Sequence, residues 1–242
     1  MKILVTGATS RLGSQVVNAL KGEFAFYPIG RNTGEYPWQL GVRLDPEQFR
    51  DINAIVHFAW SLHDRENDFH LNVGGTAELA RFAKSLGVPF VFISSIAAGG
   101  ESFYGKSKYQ AEVYTQCVGG IVLRVGLVLN SNRYLKRMNK NIVNFVPNVK
   151  GNILFTEIND LCQEICRTLK ESQQKRSEAS SLVTLISGSV TIEEAFGNAN
   201  GINIKIPSSI ISLALMTCAT FSLKARNYLD AYKSLTSTIE NG

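Results

Sequence analysis

Thr6-Gly7-Ala8-Thr9-Ser10-Arg11-Leu12-Gly13 follows the apolar run Ile3-Leu4-Val5 and opens a stretch in which Leu12, Val16 and Leu20 recur at helical spacing. Strand, glycine-punctuated turn and helix, in that order, describe the start of a βαβ unit. Gly7 makes the tight turn and Gly13 lets the helix approach the sheet. The backbone N–H groups of Arg11 and Leu12 then meet a pyrophosphate at the positive end of the helix. Ser10 stands at the middle glycine of the usual pattern, where its Cβ narrows the approach and its hydroxyl can donate to the phosphate. The competing reading is a glycine-rich turn with no ligand.

Outward from this turn the same alternation repeats. Phe24–Ile29 reads as a second strand, Val42–Leu44 as a brief third closed by Asp45, and Ala54–Ala59 as a fourth. Asp45-Pro46 forms an N-cap followed by proline at the first helical position. Leu79, Phe82 and Leu86 mark one face of a helix over Asn72–Leu86. Phe90–Ile93 is an uninterrupted apolar strand, Tyr104–Gln116 a helix, and Ile121–Leu129 another buried strand. Strands alternating with helices predict an α/β fold with a doubly wound parallel sheet. Residues 1–130 are assigned to this dinucleotide-binding core. Residues 131–242 form a small, mostly helical lobe completing the same domain. There Thr156–Leu169, Thr191–Ala199 and Pro207–Ile239 are predicted helices and Leu182–Ile186 a strand.

A chain of 242 residues with 45% apolar and 19% charged residues can bury a core without disulfides or metal. The net charge of +5 is spread along the chain, which argues against nucleic acid and suits a polyanionic small ligand. Cys117, Cys162, Cys166 and Cys218 show no CxxC spacing, and His57, His63 and His70 do not cluster with them, so no metal is expected. Met1 leads directly into a strand with no signal peptide, and the apolar Ile210–Leu223 is shorter than the ~20 residues a span needs. The expected location is cytoplasmic, with no membrane span.

The second informative string is Tyr104-Gly105-Lys106-Ser107-Lys108, preceded by Ile93-Ser94-Ser95. A helix puts Tyr104 and Lys108 on one face. A free phenol, with a pKa of about 10, exchanges protons poorly at neutral pH. A neighbouring ammonium and an oxidised nicotinamide favour the phenolate and are expected to lower that value. Tyr104 then gives a proton to a carbonyl or takes one from an alcohol, Ser95 orients the same oxygen, and Lys108 also bonds the nicotinamide ribose. At the end of the second strand stand Gly30-Arg31-Asn32 rather than a carboxylate, with Arg11 nearby. A guanidinium suits a 2′-phosphate, so NADP(H) is expected over NAD(H); the alternative is that Arg31 is a solvated turn residue.

These residues resemble the extended short-chain dehydrogenase/reductase superfamily, the NAD-dependent epimerases and dehydratases. TGATSRLG resembles its glycine loop, Leu44-Asp45 its adenine-contacting strand end, and HFAW at His57–Trp60 its fourth strand. Asn72–Thr76 is similar to its "NVxGT" helix start, YGKSKYQAE at Tyr104–Glu112 to its "YGxSKxxAE", and LRVGLVL at Leu123–Leu129 to its "LRPxxVYG". The resemblance is strongest to nucleotide-sugar 4-ketoreductases and 4-epimerases of bacterial surface-polysaccharide pathways. It implies a Rossmann fold with a small C-terminal substrate lobe, Tyr104 as acid/base, Lys108 as its partner and Ser95 polarising the carbonyl. It implies that Asn72 holds Lys108 through water. It also implies that the cofactor meets Gly7, Thr9, Ser10, Arg11, Leu12, Gly13, Arg31, Asn32, Leu44, Asp45, Phe58, Ala59, Trp60, Asn72, Tyr104, Lys108 and Val125.

Four departures stand out. Ser95 and Tyr104 are nine residues apart where the family has about two dozen, and the later lobe is trimmed. Trp60 replaces a small residue, and Val125 a proline. The expected activity is hydride transfer at the 4-keto/4-hydroxyl carbon of a nucleotide-linked sugar. The alternatives are another small carbonyl substrate at the same site, or a non-catalytic dinucleotide-binding regulator. A homodimer through the helices holding Ala77–Leu86 and Lys108–Gln116 is expected.

Overall fold

The computed structural model describes residues 1–31, 36–62, 65–129, 143–148, 151–174, 180–191 and 202–219, with 229 and 233. Its strands begin with β1 (Lys2–Thr6), β2 (Ala25–Ile29), β3 (Ala54–His57), β4 (Phe90–Ser95) and β5 (Ile121–Val125). There follow β6 (Leu127–Leu129), β7 (Val143–Asn148), β8 (Asn152–Glu157), β9 (Ser181–Leu185), β10 (Gly188–Thr191) and β11 (Ile202–Pro207). The helices are α1 (Arg11–Leu20), α2 (Arg65–Leu86), α3 (Phe103–Cys117), α4 (Ile158–Gln174) and α5 (Ser208–Ala219), with a 3-10 turn at Pro46–Phe49.

Six strands make one parallel sheet in the order β2-β1-β3-β4-β5-β9. Successive side chains point to opposite faces, and both faces are covered. Ile3, Val56, Val91, Ile93 and Leu123 pack against Val16 and Leu20 of α1 and Leu161, Ile165 and Leu169 of α4. Leu4, Ile55, Phe90, Phe92 and Val122 pack on the other side against Leu79, Phe82 and Ala83 of α2 and Ala111 of α3. Burial on both faces is why these strands read as continuous apolar runs. The crossover directions diverge between β1 and β3, and the glycine turn after β1 lies at that switch point, where open α/β sheets bind ligands.

The segment after Asn130 contributes to this sheet. Its β9 pairs with β5, and its α4 packs on α1 across the first face. It also supplies β8, which lies between β10 and β6 in a second, three-stranded sheet, and β11, which pairs with β7.

Several expected elements differ. Val42–Leu44 is not a strand: Trp38 Nε1 donates to Val42 O at 2.7 Å and Val42 N to Gln39 O at 3.0 Å. The turn's own hydrogen bonds take the groups a ladder would use, and an isolated bridge from Gly30 to Pro37 ends the sheet there. Asp45 does cap the following 3-10 turn, accepting from Glu47 N at 3.0 Å. The run Ile121–Leu129 breaks at Gly126, whose N–H goes to Thr156 Oγ1 at 2.8 Å. A Cβ there would lie 2.7 Å from Leu154 O, so β8 crosses closely at this point. Thr156 lies within β8 rather than starting a helix, Thr191 closes β10, and Pro207 closes β11. The remainder of the helix expected over Thr191–Ala199, and the chain beyond Ala219 apart from 229 and 233, lie outside the described residues. No helix among the described residues is long and apolar enough to cross a membrane.

Candidate active site

Gly7 adopts φ +69°, a left-handed conformation that side chains rarely take, and a Cβ on it would stand 2.6 Å from Ala59 N. Gly13 is needed for a different reason: its Cβ would stand 2.3 Å from Gly7 O. Without those two carbons the start of α1 settles directly over the ends of β1 and β3. Ser10 is the N-cap of α1 at φ −67°, its Oγ accepting from Gly13 N at 3.1 Å. Its hydroxyl oxygen therefore serves the helix start, which satisfies one first-turn donor. Thr9, Ser10 and Arg11 are exposed at this end, as is Arg31 just past β2. Asn32 lies outside the described residues.

From Leu12 on α1 a cavity of about 570 Å³ runs along the carboxyl ends of the strands. It brings together Leu12, Phe58, Trp60, Asn72, Ser95, Tyr104, Lys108 and Val125, all singled out from the sequence. Ala59, between Phe58 and Trp60, is not among the lining residues; its N–H donates to Thr6 Oγ1 at 3.3 Å. Leu44 instead lines a separate, smaller hollow of about 240 Å³ beside Arg43, Glu78 and Phe82. Asp45 is occupied with its helix cap.

The nine-residue spacing still brings the two hydroxyls together: Ser95 hydrogen-bonds Tyr104. The connecting loop closes by tight turns, Ala98 N to Ser95 O at 2.9 Å and Gly100 N to Ala97 O at 3.1 Å. Ser102 then caps α3 by accepting from Gly105 N at 2.9 Å. A Cβ on Gly105 would lie 2.4 Å from Ala97 O, so glycine after the tyrosine permits the short loop to fold under the helix.

Lys108, one helical turn beyond Tyr104, is 5% exposed and donates from Nζ to Ile93 O at 2.9 Å. Its ammonium lies 3.7 Å from the ring centroid of Trp60, 4.6 Å from Phe92 and 5.8 Å from Tyr104. Burial pushes this amine down to about 7, against the pull of Glu112 one turn further on. Burial pushes the Tyr104 phenol above its ordinary range, with the Ser95 hydrogen bond acting the other way. The lowering expected from an ammonium together with an oxidised nicotinamide does not arise from the protein alone: desolvation dominates, and the ammonium is turned to Ile93 O and the indole face. At neutral pH the phenol therefore keeps its proton.

Asn72 lines the same cavity as Lys108. Its Oδ1 accepts from Ser61 N at 2.8 Å and its Nδ2 donates to Ser61 O at 2.9 Å, so it pins the loop carrying Trp60. His57 is fully buried between Thr6 Oγ1 at 2.6 Å and Thr76 Oγ1 at 3.1 Å, and burial with the charge of Lys108 pushes it down to about 3. It is a neutral bridge from the glycine turn to α2.

Several contributors escaped the sequence reading. Glu112 is buried and accepts from Ser94 Oγ at 2.5 Å and from Arg124 Nε at 2.9 Å and Nη2 at 2.5 Å. This ties β4, α3 and β5 together behind Lys108. Its place two turns beyond Tyr104, on the same helix face, was a legible signal. Phe92 and the cavity walls Leu62, Phe69, Phe103, Ile153 and Leu154 come from separate elements and carried none. Among the described residues no three His, Cys, Asp or Glu side chains gather to hold a metal ion.

The chain can be compared with known proteins at this point. Residues 3–117 match the NAD dependent epimerase/dehydratase family. This match runs from β1 through α3, just under half of the chain. The chain matches no curated protein. Among solved structures it is similar to UDP-N-acetylglucosamine 4-epimerase from Bacillus cereus, with 21% identity, 86% of this chain and 88% of that one covered, and a TM-score of 0.67. The dTDP-4-dehydrorhamnose reductase from Bacillus anthracis, in complex with NADP, is 17% identical over 86% of each chain at a TM-score of 0.65. The dTDP-glucose 4,6-dehydratase from Streptomyces venezuelae, with NAD bound, is 15% identical over 86% of this chain and 84% of that one, at a TM-score of 0.65. These likenesses establish the shared fold.

Proposed function

We propose that this chain is an NAD(P)-dependent enzyme of the epimerase/dehydratase family it matches and transfers hydride at a 4-keto/4-hydroxyl carbon of a nucleotide-linked sugar, with Tyr104 as proton donor and acceptor, Ser95 aligning the reacting oxygen and Lys108 supplying positive charge. One observation carries the reading. Ser95, hydrogen-bonded to Tyr104, and the buried Lys108 share one cavity with the first turn of α1. The glycine turn, the positive helix end and the switch point between β1 and β3 fit a nicotinamide dinucleotide.

When bound, that cofactor supplies or accepts the hydride. The Tyr104 proton moves to the carbonyl oxygen as the carbon receives hydride, and the reverse transfer regenerates the carbonyl. A phenol that holds its proton at neutral pH is ready as the acid of the reductive direction. The nearby ammonium stabilises the phenolate left behind, and a donor on Lys108 is assigned to the nicotinamide ribose. Arg11 and Arg31, exposed at the end where the adenosine would lie, support NADP(H) over NAD(H).

Replacing Tyr104 by Phe is expected to lower turnover by roughly 10²- to 10⁴-fold while leaving the dissociation constant for NADPH nearly unchanged. Activity persisting in that variant would refute the proton-transfer role. Thermal shifts with UDP-, dTDP-, GDP- and CDP-sugars in the presence of NADP+ identify the nucleotide. A second reading, an apolar carbonyl compound, draws support from the wall. Among its described residues Lys108 is the one cation, and Leu62, Phe69, Ile96, Phe103, Leu127 and Ile153 dominate. No shift with any nucleotide-sugar, together with NADPH oxidation on apolar ketones, would favour that reading.

A further inference from the structure

Trp60 departs from the small residue found at the equivalent place in the resembled family, and its position is specific. It follows β3 in a loop that Asn72 clamps at both the N–H and C=O of Ser61. Its ring leans on Phe92 at 5.8 Å and meets Tyr104 edge-on at 6.3 Å and 79°. Its face covers Lys108 Nζ at 3.7 Å, closer than the rings of Phe92 and Tyr104. A desolvated ammonium needs substitutes for its water shell. Ile93 O supplies one; aromatic faces, with indole the strongest, supply the rest.

We propose that Trp60 is a positioning residue for Lys108: its indole face, completed by Phe92 and Tyr104, replaces water around the ammonium and holds it charged beside the reacting phenol. The neighbouring charges are consistent with this. Glu112 stands one turn away on α3 but is held by Arg124 of β5 and Ser94 of β4. His57 of β3 stays neutral, Asp68 of α2 lines the same cavity, and Tyr104 keeps its proton. Much of the Glu112 charge is thus spent on Arg124, and the indole provides attraction that adds no titratable group.

The proposal deepens the acid–base reading above, and its test does not depend on it. The chain contains two tryptophans, Trp38 and Trp60. Fluorinated tryptophans withdraw charge from the ring face while keeping its shape, so the fold is not put at risk. Competitive acetylation across pH, read by mass spectrometry at Lys108, measures its ionisation without substrate. Passing from tryptophan to the trifluorinated ring should lower the midpoint stepwise by about half a unit to one unit in all. In a Trp60→Phe background, where Trp38 alone carries fluorine, the midpoint should not respond to fluorination. Trp60→Leu should lower it and Trp60→Phe restore most of the loss. A midpoint indifferent to fluorination at Trp60, or raised by it, would overturn the proposal. A midpoint that falls while the pH profile of turnover stays fixed would leave it standing and count against Lys108 as the partner of Tyr104.

Discussion

At the glycine turn the cavity is made by leaving side chains out, whereas at Lys108 it is made by crowding them in. Gly7 and Gly13 bring backbone within contact distance of backbone, where an added carbon would meet Ala59 N at 2.6 Å or Gly7 O at 2.3 Å. Trp60, Phe92 and Tyr104 instead surround one ammonium at 3.7 to 5.8 Å. The first end is steric and indifferent to pH. The second is electrostatic, graded, and coupled to every proton nearby. Mutations should divide the same way.

The largest effect belongs to the steric end. Gly13→Ala drives a Cβ into a carbonyl that cannot yield without moving the turn. We expect a loss of about 3 kcal/mol in urea denaturation, with NADPH binding abolished. A variant of near-native stability would show that the turn is plastic and break the contrast.

A smaller effect tests the electrostatic end through His57. Its folded value is near 3 against an ordinary 6.5, so between those values the unfolded chain binds a proton that the folded protein does not. Stability is therefore present above 6.5 and is lost as pH falls toward 3. At pH 5 the loss is about 2 kcal/mol relative to pH 7, by one proton over the intervening interval. Denaturant titrations at the two pH values measure it. Lys108→Met removes a charge that opposes protonation of His57, so the variant should lose less stability on acidification.

The smallest effect sharpens the boundary of the steric end. Ser10 already has φ −67° and caps α1, so the glycine usual at this position is not conformationally required. Ser10→Gly should cost only a few tenths of a kcal/mol, and Ser10→Ala about 1 kcal/mol. A large gain in NADPH affinity for Ser10→Gly would mean that the serine Cβ narrows the phosphate site as its size suggests.

How much was legible follows the same division. The turn at Gly7–Gly13, the helix pairing of Tyr104 with Lys108, and the strands β1, β4 and β5 could be read because each is a local pattern of spacing and hydrophobicity. The strand expected at Val42–Leu44 failed because Trp38, from a neighbouring turn, competes for its carbonyl. The lowering expected for Tyr104 does not come from the protein alone, because burial depends on elements distant in the chain. Asn72 clasps the backbone of Ser61 at both its N–H and its C=O, a pairing no spacing rule expresses.

By itself, then, the order of residues determined the parallel α/β layering and the chemical types at the site, since both follow from short-range periodicity. Only the tertiary structure decided the ionisation of that site. Desolvation and ring faces are set by residues from α2, α3, β3 and β4 meeting in space. Whether an amine is bathed in water or boxed by indole cannot be inferred from its neighbours in sequence.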